Sequence, residues 1–314
     1  MIRTFENLRG SEGAMPYNLL VILGPNASGK TRVAVQVARA LKGEIISADS
    51  RQVYRGMDIG TGKDLEEYGS VPYHLIDIVD PGYEFNVFEF QRRFGEAFKE
   101  IQARGHLPIL VGGTGMYLDS VLRGYELIEV PENLALRQEL AVHSAENLAA
   151  RLKEINPKLH NTTDLLDRNR LIRAIEIAEY QREAQNVPPL PELSPLVFGI
   201  KWEREALRRR ITQRLKERLS HGLIEEVARL AHTGIPLEAL EFYGLEYRFV
   251  AQYLKGAVNK NDMFQKLNSA IHQLAKRQET WFRRMERQGV RIQWIDGNQD
   301  PAASILQKNQ GYFF

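Results

Sequence analysis

The segment GPNASGKT, near the start of the chain, has the residue types that hold phosphate groups. The pattern G-x-x-x-x-G-K-[ST] is matched by Gly24, Pro25, Asn26, Ala27, Ser28, Gly29, Lys30 and Thr31. Glycines let successive backbone N–H groups point into one concavity, the lysine adds a positive charge, and the hydroxyl after it can bind Mg²⁺. These residues predict a diphosphate site, of the kind found in many nucleotide-binding and ATP-binding proteins.

A carboxylate is the second candidate for chemistry. Asp49 stands at the end of the apolar run EIISA, where it either caps the first turn of a helix or faces the phosphate segment as a general base. Hydrolases with this phosphate motif have a strand that ends in an aspartate, which holds Mg²⁺. The run LPILVGGTG ends in glycines instead, so the pattern does not favour nucleotide hydrolysis.

Short apolar runs alternate with helical stretches in the first part of the chain. The predicted strands are LLVIL, EIISA, HLIDIV, LPILV, LVFGI and VRIQWI, and the helices include RVAVQVARAL and VFEFQRRFGEAFKEIQA. This order predicts an α/β fold of the P-loop type, with a doubly wound parallel sheet and ligands at the carboxyl ends of its strands. The phosphate segment and Asp49 then lie at the same edge of the sheet.

The middle of the chain interrupts this alternation with helical segments and ends in the proline-rich VPPLPELSP. We therefore predict a helical insertion domain at residues 125–195. The P-loop core, with basic C-terminal helices, is predicted at residues 18–124 and 196–314. The polar residues 1–17 are predicted to be a flexible tail, and Met15 is an alternative start of translation.

Composition limits the class of protein. The 314 residues are 43% hydrophobic, as in a folded globular protein, and they include no cysteine, which excludes disulfides and cysteine-bound zinc and favours the reducing cytoplasm. No apolar run reaches the length of a membrane span, and the first residues lack the apolar stretch of a signal peptide. We expect a cytoplasmic monomer with no membrane partner.

Basic residues cluster in two places, although the net charge is only +2. The spacing of Arg210, Arg214 and Arg218 in the first cluster is by itself typical of a solvated helix face. The second cluster, LAKRQETWFRRMERQGVR, has aromatic residues between its cations. Two such clusters in one chain favour a polyanionic partner. The cations of the first cluster are Arg208, Arg209, Arg210, Arg214, Lys216 and Arg218.

Six motifs together resemble the bacterial tRNA dimethylallyltransferases. They are GPNASGKT, ISADSRQVYRGMDIGT, LVGGTGMYLDSVLRG, DRNRLIRAIEI, RITQRLKERLSHGLIEEV and AKRQETWFR, in that order. The resemblance implies transfer of a dimethylallyl group from dimethylallyl diphosphate to N6 of adenosine 37, in the anticodon loop of tRNAs that read codons beginning with U. The phosphate site then holds the leaving diphosphate, and no nucleotide is hydrolysed.

The resemblance also implies roles for particular residues. Asp49 is the base that takes a proton from N6. Lys30, Thr31 and Arg210 stabilise the leaving group, and Thr31 binds Mg²⁺. The adenine must leave its stack to reach them. The implied contacts with the tRNA anticodon stem-loop are Asp49, Ser50, Arg51, Gln52, Thr114, Asn169, Arg170, Arg173, Lys276, Arg277, Gln278, Trp281 and Arg283.

Two helices are predicted to carry many of these contacts. Arg170 and Arg173 are three residues apart and share one helix face, with an apolar stripe behind them at Leu171, Ala174, Ile175 and Ala178. In the last long helix we expect core positions, not base-stacking platforms, at Phe264, Leu267, Ile271, Leu274 and Trp281.

The chain departs from the family pattern at several positions. Asn26 replaces a usual threonine, GTGKD with Gly62 stands where GTAKP is common, and Arg218 takes the place of a methionine. Ile271 and His272 replace threonine and arginine, and YGLEYRF stands where the family often has GYKE. We expect the catalytic positions to be kept and some tRNA contacts to be rearranged.

Three other functions fit parts of the pattern. A small-molecule kinase would use the same phosphate motif and a strand-end carboxylate, but it would also need an adenine site and lid arginines. Prenylation of free AMP would need a pocket for the nucleotide beside the diphosphate site, but it would not need the basic helices. A tRNA-binding module without catalysis would not need Lys30, Thr31 and Asp49 together.

Overall fold

The computed structural model of the protein describes residues 17–155, 167–183 and 190–308. The chain divides into two compact units, which we call the core unit (Met1–Tyr125 with Leu190–Phe314) and the helical unit (Glu126–Pro189). Nearly all of the predicted tail, including Met15, lies outside the described residues. In the part of the chain that the structure describes, no helix is long and apolar enough to cross a membrane.

One parallel sheet organises the core unit. Its six strands follow the order β3-β2-β4-β1-β5-β6, with β1 at the centre between β4 and β5. This order confirms the predicted P-loop-type α/β fold, because the strands alternate with helices and every pairing is parallel. The strands are β1 Leu19–Leu23, β2 Gly43–Ala48, β3 Tyr73–His74, β4 Leu107–Gly112, β5 Pro195–Lys201 and β6 Ile292–Asp296.

Helices cover both faces of the sheet. In β1, Leu19, Val21 and Leu23 belong to one buried cluster, which includes side chains of α2 (Val87–Ala103) and α3 (Gly115–Leu122). The alternate residues of β1 belong to a second cluster on the opposite face, with α1 (Lys30–Ala40) and α12 (Pro301–Lys308). Burial on both faces explains why the strands read as continuous apolar runs.

The rest of the core unit is helical and covers one face and the carboxyl edge of the sheet. A 3₁₀ turn, Leu65–Glu67, follows the segment after β2. The longest helix, α11, has its buried positions at Met263, Leu267, Ile271, Ala275, Phe282 and Met285. The helices are α7 Arg204–Ser220, α8 Leu223–His232, α9 Leu237–Leu240, α10 Leu245–Leu254 and α11 Lys260–Arg287.

The predicted strand HLIDIV is largely wrong. Only Tyr73–His74 pairs with β2, and the chain then leaves the sheet. Leu75 and Asp77 have positive φ angles of 62° and 54°, which a strand cannot contain. Asp77 adopts this conformation where its carboxylate binds the fully buried ammonium group of Lys63, so an ion pair replaces the expected strand.

The helical unit contains α4 (Leu134–Leu140), α5 (Ala145–Ile155) and α6 (Arg168–Glu183) around its own small core. Its buried Glu176 accepts hydrogen bonds from the Arg137 guanidinium at 3.1 and 3.0 Å. The unit ends before residue 195 of the predicted insertion, because Asn18 bonds the backbone at Glu192 and Ser194 and joins that segment to the core unit. Residues 156–166 and 184–189 of the predicted insertion lie outside the described residues.

Candidate active site

The loop between β1 and α1, residues 24–29, has the shape of an anion cradle. Ala27 and Gly29 adopt left-handed conformations, with φ of 62° and 85°, and the N–H of Ser28 bonds the Pro25 carbonyl at 3.2 Å. Gly24 has no room for a side chain, because a Cβ there would lie 2.6 Å from the Ser28 Oγ. That Oγ is buried and has no hydrogen-bond partner among the described residues, as expected where a ligand oxygen binds.

Lys30 begins α1 at the open side of this loop. Burial lowers the pKa of its ammonium group to about 8, and the negative charge of Asp49 opposes that shift. Arg214 and Arg218 on α7 act in the same direction as burial. The charges of Asp49, Arg214 and Arg218, which are far apart in the sequence, therefore all act on this lysine.

Arg210 lies against the same loop. Its Nε donates to the Ala27 carbonyl at 2.8 Å, and its guanidinium stacks 4.1 Å from the centre of the Trp202 ring. Trp202 in turn donates from Nε1 to the Ser28 carbonyl at 3.0 Å. Spacing alone indicated a solvated helix face for Arg210, and its side chain is indeed exposed, but its contacts with Ala27 and Trp202 also fix the guanidinium on the loop. Burial lowers the pKa of its guanidinium.

Asp49 follows β2 directly, at the edge of the sheet where β1 ends. Its Oδ1 accepts a hydrogen bond from the Arg51 N–H at 2.8 Å, and the next residue, Ser50, donates its N–H to Thr114 Oγ1 at 3.1 Å. The carboxylate thus caps a turn and not a helix, because the chain after it stays in turns up to Tyr54. Within the part of the chain that the structure describes, Oδ2 of Asp49 receives no hydrogen bond.

The strand end that carries an aspartate in P-loop hydrolases has no room for one here. A Cβ on Gly112, the last residue of β4, would overlap the backbone of Ala48 at the end of β2. The carbonyl oxygen of the following residue, Gly113, accepts a hydrogen bond from Gln278 Nε2 at 2.9 Å. Close packing of two strand ends therefore accounts for the glycines that the sequence showed.

Two of the predicted tRNA contacts are held inside the core unit. Gln278 of α11 accepts the Asn26 N–H at 2.8 Å and donates to Gly113, so its amide joins the phosphate loop to the end of β4. Gln52 is 8% exposed and bonds Ser47 Oγ at 2.9 Å and the Gly62 carbonyl at 3.1 Å. Gln52, for which the resemblance implies a tRNA contact, is therefore mostly buried, with its amide held between Ser47 and Gly62.

The other predicted contacts of the core unit are open to solvent to different degrees. On α11, Lys276, Arg277 and Arg283 are exposed, whereas Trp281 is half-buried and packs against Gly115. The expectation of core positions in this helix holds for Leu267 and Ile271, while Phe264, Leu274 and Trp281 are only partly buried. Before α3, Arg51 is exposed, and Ser50 and Thr114 are half-buried.

The helical unit holds the remaining predicted contacts on α6. Asn169 and Arg170 are exposed, and the Asp167 carboxylate caps both of their N–H groups, at 3.0 and 3.1 Å. Arg173 donates to the Val130 carbonyl at 2.8 Å and forms an ion pair with Glu176. The two arginines share a helix face, but the guanidinium of Arg173 is already bound by Val130 and Glu176 of the helical unit. The predicted apolar stripe behind them is observed, with Leu171 and Ile175 fully buried.

Three residues that shape the site were not singled out from the sequence. Trp202 follows β5, so its position at a strand end was a usable signal. Glu226 of α8 is buried and accepts the N–H groups of Asp58, Ile59 and Gly60 at 3.0, 2.8 and 3.0 Å. Neither Glu226 nor the buried Lys63 had a sequence signal, because each resembles a charged residue of a solvated surface.

The fold and the loop define the P-loop class of α/β proteins, and comparisons with known proteins give the family. The IPP transferase family profile matches residues 52–285, and the isopentenyl transferase profile matches residues 17–69. A tRNA dimethylallyltransferase 1 of Geotalea uraniireducens is 67% identical over 298 residues, which cover 94% of this chain and 99% of the relative. That of Geotalea daltonii is 68% identical over 292 residues, or 93% and 95%.

Solved structures agree with these relatives. The tRNA isopentenylpyrophosphate transferase of Bacillus halodurans is 34% identical, with a TM-score of 0.69 and coverage of 95% of this chain and 97% of that one. A eukaryotic dimethylallyltransferase acting on tRNA, at 22% identity, TM-score 0.74 and coverage of 93% and 79%, shares the fold. The chain belongs to the IPP transferase family of tRNA dimethylallyltransferases. It is a prenyltransferase, so the kinase and the non-catalytic module are wrong.

A divalent metal ion is generally expected in enzymes that use a prenyl diphosphate. The described residues contain no group of three or more histidine, aspartate and glutamate side chains that could hold a metal by themselves. A cradle with the Thr31 hydroxyl and the unpartnered Ser28 Oγ nevertheless fits an ion that takes most of its ligands from a diphosphate and water, as Mg²⁺ does.

Proposed function

We propose that this enzyme transfers the dimethylallyl group of dimethylallyl diphosphate to N6 of adenosine 37 in tRNAs that read codons beginning with U. One observation carries the proposal: a phosphate loop with Lys30 and Arg210 lies beside the strand-end carboxylate of Asp49. The loop supplies a site for a leaving diphosphate, and the carboxylate supplies a base for the amine that replaces it.

The donor side is built to stabilise negative charge. As the bond between the allyl carbon and the diphosphate oxygen breaks, its electron pair moves onto the leaving group. The N–H groups of the loop, with Lys30 and Arg210, lie in a fixed arrangement where that charge develops. We assign Mg²⁺ to the Thr31 hydroxyl, where the ion would neutralise part of the diphosphate charge.

The acceptor side needs a base, because the lone pair of N6 is delocalised into the adenine ring. We assign this role to Asp49, which has one carboxylate oxygen held by Arg51 and the other without a donor among the described residues. As the new bond between N6 and the allyl carbon forms, a proton of N6 passes to the carboxylate. Thr114 fixes the turn that carries Asp49 through the Ser50 N–H.

The exposed cations are the proposed contacts with tRNA phosphates. On α11 these are Lys276, Arg277 and Arg283, and on α6 we retain Arg170 together with the exposed Asn169. Arg51 is the proposed contact next to the flipped adenine. Gln52, Gln278 and Arg173 support these surfaces from within their own units, since each already has protein partners. Because tRNA is the substrate, we place the enzyme in the cytoplasm, and we propose that it acts there as a monomer.

The test is a comparison of acceptors. The purified protein is incubated with dimethylallyl diphosphate, Mg²⁺ and either an anticodon stem-loop, the same stem-loop with guanosine at position 37, or AMP, and the nucleosides are analysed by mass spectrometry. We expect one dimethylallyl group on the adenosine at position 37 and far lower kcat/KM for AMP. Equal kcat/KM for AMP, or ADP released in step with transfer from added ATP, would contradict the proposal.

A further inference from the structure

Three departures from the family pattern meet on one side of the phosphate loop. Arg218 of α7 donates from Nη1 to the Glu246 carboxylate at 2.8 Å and lies 3.4 Å from the Gly60 carbonyl. Glu246 belongs to the segment YGLEYRF on α10, and Gly62 belongs to GTGKD. Residues that seemed to be unrelated exceptions in the sequence are therefore in contact in the structure.

Gly62 provides the room for this arrangement. Its φ is 63°, and a Cβ there would overlap the Arg218 guanidinium and lie 2.6 Å from Nη2 of Arg214. Any other residue would be strained in this conformation and would push both guanidinium groups away. The side chain of Arg218 is only 14% exposed, so it has little freedom to move aside.

The positive charge of this region is not fully matched. Arg214 pairs with Asp64 at 2.7 Å, and Arg218 pairs with Glu246, yet the two arginines lie against the same glycine and repel each other. Arg218 also acts on Lys30, whose pKa it helps to lower, after burial. The Nε of Arg218 is buried without a partner among the described residues. With Lys30 and Arg210 there are four cations for the carboxylates of Asp49, Asp64 and Glu246. The other carboxylate nearby, that of Glu226, is already engaged by the N–H groups of residues 58–60 and the Tyr247 hydroxyl.

We propose that Arg218 is a positioning residue for the diphosphate donor. It maintains an excess of positive charge behind Lys30 and Arg214, and the incoming diphosphate offsets this repulsion. The proposal rests on the proposed function, since it takes the diphosphate to lie in the loop. Arg218 does not contact the diphosphate; it acts through Arg214 and through the segment 60–64 that both arginines hold.

The proposal predicts effects of opposite sign on ligand affinity and of the same sign on stability. Arg218→Met removes a positive charge and should weaken diphosphate binding about tenfold, the effect of one charge across a partly desolvated gap. Glu246→Gln removes the opposing negative charge and should strengthen binding about threefold. Both variants break the same ion pair, so both should lower the melting temperature.

The experiment measures binding of inorganic diphosphate with Mg²⁺ to the full chain by titration calorimetry, and melting temperature alongside it. Arg208→Met is the matched control, because Arg208 lies on the same helix but is exposed. We expect it to change neither quantity. If Arg218→Met and Glu246→Gln change the affinity in the same direction, or not at all, Arg218 has only a structural role and the proposal is wrong.

Two further variants cover the remaining outcomes. Gly62→Ala leaves all charges in place but displaces the Arg218 guanidinium, so it should weaken diphosphate binding, and it should add little to Arg218→Met in the double variant. Full additivity of the two changes would overturn the proposal. Lys30→Ala tests the underlying function separately: if it leaves diphosphate binding unchanged, the loop is not the donor site and the proposed function fails first.

Discussion

Helices α7 and α11 are both rich in arginine and lysine, yet they present these cations in opposite ways. On α7 two arginines turn towards the protein: Arg210, although exposed, is held on the phosphate loop by the Ala27 carbonyl, and Arg218 is largely buried against Gly60. On α11, Lys276, Arg277 and Arg283 face solvent, opposite the buried stripe of that helix. The difference shows that a basic helix can bind anions in two ways. Cations held against the protein, which we call inward, suit a small anion bound in one place, and cations that face solvent, which we call outward, suit a long polyanion.

The largest effect should come from a change that touches neither set of cations. Asp49→Asn is expected to slow single-turnover transfer by about 10²–10⁴-fold, the usual contribution of one general base. The dissociation constant for tRNA should stay close to that of the wild type, and diphosphate binding should not be weakened, because the negative charge of Asp49 opposes that of the ligand. Asp80→Asn, at a residue that is 77% exposed and paired with Arg55, is the control. A near-normal rate in Asp49→Asn would remove the base from the mechanism.

On the inward side, Arg210→Ala should lower kcat/KM for the donor by about 10²–10³-fold, as when one preorganised donor to a developing oxyanion is lost. The affinity for tRNA should change little, because Arg210 is turned towards the Ala27 carbonyl and the Trp202 ring. Steady-state kinetics with each substrate varied in turn separate the two effects. A loss of tRNA affinity equal to the loss for the donor would contradict the contrast between the helices.

On the outward side, the triple variant Lys276→Gln, Arg277→Gln and Arg283→Gln should bind tRNA more weakly while diphosphate binding persists. The slope of log K against log salt concentration should fall by roughly 0.7–0.9 for each phosphate contact that is lost. Lys42→Gln with Lys99→Gln is the control, because both lysines are exposed and Lys42 lies at the amino end of β2. An unchanged slope in the triple variant would mean that α11 is not a tRNA surface.

The smallest effect on activity is expected for a buried carboxylate to which we assign no ligand. Glu44, at the amino end of the sheet, accepts two hydrogen bonds from Arg104, at 2.9 and 2.8 Å, and contacts His74 and His106 at 2.7 Å each. The hydrogen bonds from Arg104, followed by those of the histidines, lower the pKa of Glu44 to about 2, against the effect of burial. Activity should not depend on it.

The unfolded chain therefore binds a proton at Glu44 at a higher pH than the folded chain does. The stabilisation of the folded state by the ionised Glu44 carboxylate is complete above pH 4.5 and is lost as the pH falls towards 2. Urea unfolding at pH 7 should show Glu44→Gln less stable by roughly 2–3 kcal/mol, and the gap should close in acid. Glu100→Gln, at an exposed position, should show no such gap. A gap that is independent of pH would contradict the assignment.

Much of the fold could be predicted because local patterns carry it. β1, β2, β4, β5 and β6 were apolar runs, and the phosphate motif fixed the first loop and helix. The failure at HLIDIV has a specific cause: the ion pair of Asp77 with Lys63 joins residues whose contact no local pattern shows. The contact of Arg210 with the phosphate loop was hidden for the same reason, since a spacing of four residues does not show which exposed side chains of α7 have protein partners.

The site could be predicted less completely than the fold. Asp49 and Lys30 follow from strand ends and a motif, and the structure brings them together. The burial of Gln52 depends on Ser47 and on the carbonyl of Gly62, a contact with a segment that has no regular pattern. The positions at which the chain departs from the family pattern were visible one by one, but only the structure shows that Gly62 and Arg218 are in contact.

The close packing at the end of β4 also restricts how this enzyme can evolve. An aspartate at Gly112 would overlap the backbone of Ala48, and one at Gly113 would meet Gln278 Nε2 at 2.5 Å and the Gly24 carbonyl at 3.1 Å. A substitution at Gly112 is therefore blocked by backbone, and one at Gly113 would displace the Gln278 amide, so neither glycine readily gives way to the strand-end carboxylate that hydrolases use with the same loop. At Gly112 the ends of β2 and β4 would have to move apart before the loop could acquire the carboxylate needed for ATP hydrolysis.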